Sequence, residues 1–129
     1  MSADDGQRVK KRGEPVACPF CSKELPRPAP LAGPPGALSD HTGGRCECGG
    51  IYLLDATGRE GGQVLLDGLA LLCEGDVQAA MRLESGVDYE LRSRLYNARG
   101  HALEPTPARR SSYGACKLWF FRRLRALPE

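Results

Sequence analysis

A chain of 129 residues with 41% hydrophobic and 26% charged residues has the make-up of an ordinary soluble domain, and its net charge of +2 is far from that of a strongly basic nucleic-acid binder. No segment approaches the roughly 20 apolar residues of a membrane-spanning helix, which excludes a helical membrane anchor from the expectation. The basic cluster Arg8, Lys10, Lys11 and Arg12 is followed by Gly13-Glu14-Pro15 rather than by an apolar stretch, so no secretory signal is expected and the expected compartment is the cytoplasm. Thiols stay reduced there, and six cysteines argue for metal binding before disulfides.

Residues 1–14 read as a disordered tail, with the basic cluster either solvated or serving as a nucleic-acid-binding arm. The first cysteine pair, Cys18-Pro19-Phe20-Cys21, follows at once. Residues 22–45 form a loop in which Pro26, Pro28, Pro30, Pro34 and Pro35 remove backbone donors and favour extended chain. The second pair, Cys46-Glu47-Cys48, runs through Gly49-Gly50 into Ile51-Tyr52-Leu53-Leu54, which reads as a strand. Without the tail and the loop, roughly 90 residues remain to pack, a size at which a metal helps.

Asp55-Ala56-Thr57-Gly58 reads as a turn. Residues 62–74 carry Val64, Leu65, Leu66, Leu69, Ala70, Leu72 and Cys73 over a broad helical face, and Gly75 is the expected stop. Asp76 should cap a second short helix holding Val77, Ala80 and Met81. From Val87 the pattern changes to period two, with Val87, Tyr89 and Leu91 alternating with charged residues. This predicts a strand to about Tyr96, a helix through Leu91 and Leu95 being the alternative. Asn97-Ala98-Arg99-Gly100 is turn-like. Ser112–Leu127 is expected to be helical, although Trp119, Phe120 and Phe121 also suit a strand.

Two close cysteine pairs separated by 24 residues (22–45) suit one tetrahedral zinc site. The layout resembles the zinc-ribbon superfamily over about residues 15–55. That resemblance implies Cys18, Cys21, Cys46 and Cys48 as ligands of one structural Zn²⁺, in a ribbon with a minimal β-hairpin. Ribbons usually close with Cys-x-x-Cys-Gly, whereas this chain has Cys-x-Cys-Gly, which leaves His41 open as a replacement for one sulfur. Iron is the alternative metal. The rival reading is a redox dithiol at Cys18 and Cys21, which needs a helix after the motif; Pro26 and Pro28 oppose one. Cys73 and Cys116 read as structural.

Charge is segregated. Arg92, Arg94, Arg99, Arg109, Arg110, Lys117, Arg122, Arg123 and Arg125 face only Glu104 among acids, whereas residues 55–90 carry eight acids against Arg59 and Arg82. With Trp119 among them, Arg92, Arg94, Lys117, Arg122, Arg123 and Arg125 form a candidate surface for RNA or single-stranded DNA. The competing reading makes the aromatics core and the arginines a solvated face. No activated nucleophile and no phosphate-binding loop stands out, so no enzyme is expected. The expected fold is α+β: a zinc ribbon at 15–55, then short helices and a strand-and-helix unit within 56–129 packed on it. The expected function is a protein-interaction module or adaptor with an unidentified protein partner, as a monomer or homodimer. The alternative is a nucleic-acid-binding accessory protein.

Overall fold

The computed structural model describes residues 13–31, 41–105 and 114–124. Among these, six strands build one antiparallel sheet: β1 (Glu14–Pro15), β2 (Gly43–Arg45), β3 (Ile51–Asp55), β4 (Tyr89–Asn97), β5 (Ala102–Leu103) and β6 (Lys117–Arg123). Their order is β1-β5-β4-β6-β3-β2. Two helices, α1 (Gly61–Leu72) and α2 (Val77–Ala80), complete a mixed α+β architecture dominated by the sheet.

Alternation along the strands divides the apolar residues between two faces. The register sets Ile51 opposite Phe121, Tyr52 opposite Phe120, Leu53 opposite Trp119 and Leu54 opposite Leu118. Ile51, Leu53 and Phe121 join Val64, Leu69, Leu71, Leu72, Cys73, Ala80 and Tyr89 in one buried cluster under α1. Tyr52, Leu118, Phe120, Tyr96 and Leu103 join Val16, Cys18, Leu25 and Cys46 in a second cluster. The sheet is therefore a middle layer, with a helix on one side and the cysteine-bearing segments on the other.

Asp55 organises the passage from β3 to α1. It is fully buried, and its carboxylate accepts from the Gly58 and Glu60 amides and from Trp119 Nε1–H. Further along, Gly68 lets α1 settle on Phe121, since a Cβ there would lie 2.3 Å from the ring's Cζ. The helix ends as the sequence suggests. Glu74 and Gly75 take positive φ, and the Gly75 amide returns to the Ala70 carbonyl at 2.7 Å. Asp76 caps α2 by accepting from the Ala79 amide.

Two expectations are corrected. The helix expected over Ser112–Leu127 is instead the strand β6, held between β3 and β4. Leu118 and Phe120 point to one covered face and Trp119 and Phe121 to the other, so a helix would lose half of these contacts. The N-terminal half is also less coreless than its composition implies, because Val16 and Leu25 are buried on a platform supplied largely by β4, β5 and β6. Of the predicted loop, residues 32–40 lie outside the described residues, as do the basic cluster at 8–12 and Arg125.

Candidate metal centre

Each cysteine pair sits at the tip of a tight reversal. In the first, the Ala17–Glu24 bridge and the Leu25 amide on the Val16 carbonyl (2.9 Å) close a hairpin around Cys18-Pro19-Phe20-Cys21. Ser22 takes φ 71° to make the return, and its amide donates to the Cys18 carbonyl at 2.8 Å. In the second, β2 and β3 pair with Arg45 opposite Ile51. The Cys46 amide donates to the Gly50 carbonyl at 2.8 Å, and Gly49 turns the chain at φ 97°. Lys23 Nζ pairs with a carboxylate oxygen of Glu47, tying one tip to the other across the surface.

The two tips bring four sulfurs together. Cys18 Sγ lies 3.6 Å from Cys48 Sγ, and Cys21 Sγ lies 3.4 Å from Cys46 Sγ. All four are within 4.8 Å of one another. These spacings are too long for a disulfide, and all six cysteines are free thiols. A tetrahedron with metal–sulfur bonds of about 2.3 Å has edges of about 3.8 Å; the 3.4 and 3.6 Å contacts lie just under that length, and the remaining pairs fall within 4.8 Å. The donor set thus fits one thiophilic ion, and four sulfurs complete a tetrahedron.

Local electrostatics agree with that use. Burial pushes the Cys18 thiol up to about 12, against the pull of the Phe20 and Cys21 amides. Burial likewise raises Cys46, which the Cys48 amide pulls the other way. Cys21 is lowered, first by the Lys23 amide and then by the neighbouring Cys46 thiol. Backbone N–H groups therefore aim at three of the sulfurs, the arrangement that softens thiolate charge in a knuckle. The buried thiols resist ionisation until a cation arrives, and a divalent ion reverses that balance.

Other sequence candidates resolve differently. His41 lies outside the sulfur cluster. Its Nδ1 is 2.7 Å from Asp67 Oδ2 and its Nε2 is 2.8 Å from Glu60 Oε1, so carboxylates take both ring nitrogens. Burial pulls the imidazole down, but hydrogen bonds and charge from Asp67 and Glu60 outweigh it, and the net shift is upward. His101 links the β4–β5 turn to the first tip, through Tyr96 OH at 2.7 Å and the Leu25 carbonyl at 2.8 Å. The redox reading lacks its helix, because the chain after Cys21 returns as a hairpin strand. Cys73 is buried under α1 and accepts from Arg123 Nη1, and Cys116 packs against the second cluster.

Among the described residues, the basic side chains do not assemble into one surface. Arg92 and Arg122 lie on the cysteine-bearing face, 5.6 and 4.8 Å from the Phe20 ring centroid, and Glu90 accepts from both. Arg94 shares that face and pairs with Glu14 at 2.9 Å. Lys117, Trp119 and Arg123 belong to the helix face, with Lys117 over the Trp119 ring and Arg123 on Cys73. The role of Phe20 as a platform for two guanidiniums is not readable from the sequence. Its only signal is an aromatic residue at the tip of the first pair. Comparison of the chain with protein-family models, with curated proteins and with solved structures finds no match in any of the three.

Proposed function

We propose that this chain is a small zinc-ribbon protein whose zinc is structural and whose role is to bind another protein. The four-sulfur cluster, assembled from two hairpin tips that are 25 to 30 residues apart in sequence, carries the reading. A tetrathiolate site leaves no open coordination position, so the metal organises the fold and does no chemistry on a substrate. An interaction role is favoured over nucleic-acid binding by the division of the basic side chains between two faces and by their intramolecular partners. Leu66, Val77, Met81, Val87 and Leu124 are large apolar side chains left exposed, as a docking protein requires of some part of its surface.

Native mass spectrometry of the reduced protein is the test of the metal, with one zinc per chain expected and a folded, metal-free chain counting against it. Retention on heparin or single-stranded DNA at low salt tests the role. No retention is expected; salt-sensitive binding that disappears when Arg122, Arg123 and Arg125 are neutralised would transfer the function to nucleic acid.

A further inference from the structure

The four sulfurs differ in their access to solvent. Cys18 and Cys46 are buried, whereas Cys21 and Cys48 are exposed. Each tip therefore contributes one covered and one open sulfur. The contacts between the tips cross this division. Open Cys21 Sγ lies 3.4 Å from covered Cys46 Sγ, and open Cys48 Sγ lies 3.6 Å from covered Cys18 Sγ. Disulfide sulfurs are about 2.05 Å apart, so a closing movement of about 1.4–1.6 Å joins either pair. More than the sulfurs keeps the tips face to face. Lys23 pairs with Glu47 across the surface, and Val16 and Leu25 anchor the first tip in the second apolar cluster.

An oxidant reaches Cys21 and Cys48 first, and each has a shielded sulfur of the other tip as its neighbour. That pairing of an accessible sulfur with a resolving one is the layout of a redox-responsive thiol site. Hydrogen peroxide supplies the chemistry. Its O–O bond breaks as one oxygen passes to the exposed sulfur, giving a sulfenic acid, and the other oxygen leaves as water. The covered sulfur then attacks the sulfenic sulfur. The S–S bond forms, the S–O bond breaks, and the hydroxyl leaves as a second water. Each disulfide thus draws two electrons from two sulfurs, consumes one peroxide and returns two waters. The protons come from the thiols or, where a sulfur is ligated, from solvent. A sulfur tied up in a disulfide is no longer a thiolate ligand.

We propose that the cysteine centre is a peroxide-sensitive switch: oxidation joins Cys21 to Cys46 and Cys48 to Cys18, releasing the metal while the two tips stay together. This rests on the structural-zinc reading and adds regulation to that same site. The two cross-links span 25 and 30 positions of sequence, so they restrain the proline-rich chain that ligation otherwise orders. Cys73, buried under α1, and Cys116 lie outside the four-sulfur cluster and take no part.

The test treats the zinc-loaded full chain with hydrogen peroxide beside a chromogenic zinc indicator. The product is then mapped by cleavage after Phe20 and after Glu47, which puts the four sulfurs on separate fragments. Two peroxides should release one zinc, and the fragments should be recovered as a Cys21–Cys46 pair and a Cys18–Cys48 pair. In the oxidised, metal-free chain the Leu25 and Cys46 amides should exchange at least about tenfold more slowly than in the reduced chain stripped by a chelator. Dithiothreitol with zinc should restore the starting metal content. Cys73→Ser and Cys116→Ser should leave the release unchanged. The proposal is overturned by zinc retained at excess peroxide, by any other disulfide pairing, or by sulfinic acids on Cys21 and Cys48 in place of disulfides. It is equally overturned if the oxidised chain exchanges as fast as the stripped one. A chain that never binds zinc sinks the structural reading and the switch together. A chain that holds one zinc and gives any of the other adverse results loses the switch alone.

Discussion

The helix face and the cysteine face of the sheet are built on the same three strands, yet they are covered by different means. Over the helix face lies α1, which contributes Val64, Leu69, Leu71 and Leu72 to a continuous apolar cluster. Each such side chain is worth about 1.5–3 kcal/mol of burial. Over the cysteine face lie two hairpin tips that contribute only Val16 and Leu25 as fully aliphatic buried residues, besides Cys18 and Cys46. Short, proline-rich chain of that kind cannot offset its ordering entropy by burial alone. The difference teaches that the first face is secured by area and shape, whereas the second has little to secure it beyond the ligation its four sulfurs are placed to offer.

Metal removal is the strongest way to break this comparison. Structural zinc supplies about 10 kcal/mol or more of apparent folding free energy in small units. Chelation should therefore expose the amides of Cys18, Leu25 and Cys46 to exchange while those of Val64 and Leu71 remain protected. Simultaneous loss in both sets would show one cooperative unit instead of two differently secured faces. Cys46→Ser should act in the same direction, read as lost zinc on native mass spectrometry. Next in size is Phe121→Ala, which empties the centre of the helix face and should cost about 3–5 kcal/mol in urea unfolding, with zinc content retained. Gly68→Ala is smaller and more diagnostic. It improves helix propensity but drives a methyl into the Phe121 ring, so a net loss of about 1–3 kcal/mol is expected, with stabilisation as the refuting result.

The smallest expected effect is pH dependence at His41. Its folded-state pKa is raised above the ordinary value of 6.5, so its contribution to stability is complete below about pH 6.5 and is lost as pH rises through the folded value. Denaturant midpoints measured across that range should fall with rising pH, and His41→Gln should remove that slope.

Much of this architecture is readable from local sequence. The cysteine pairs, the strand after Cys48, the helix ending near Gly75 and the cap at Asp76 all declare themselves within a few residues. Tyr89 and Leu91 give β4 away because one parity of that strand is charged. β6 hides for the opposite reason. Sandwiched between two covered faces, it is apolar on both, so Leu118, Trp119, Phe120 and Phe121 show no alternation and mimic a helix face. His41 misleads because its partners, Asp67 and Glu60, lie 26 and 19 residues away. A histidine near cysteines reads as a ligand until the fold supplies its carboxylates. The charge segregation is real in sequence, but strand alternation then sends Arg122 and Arg123 to opposite faces, which no count of charges reveals.

Asp55 closes one end of a five-residue strand whose other end begins three positions after Cys48, and it holds the indole N–H of the chain's single tryptophan. The molecule thereby carries its own optical reporter. Trp119 packs on the helix face, whose cover should outlast metal removal, so its emission colour should hold steady on chelation and shift only when that face itself unfolds, in real time and without a label.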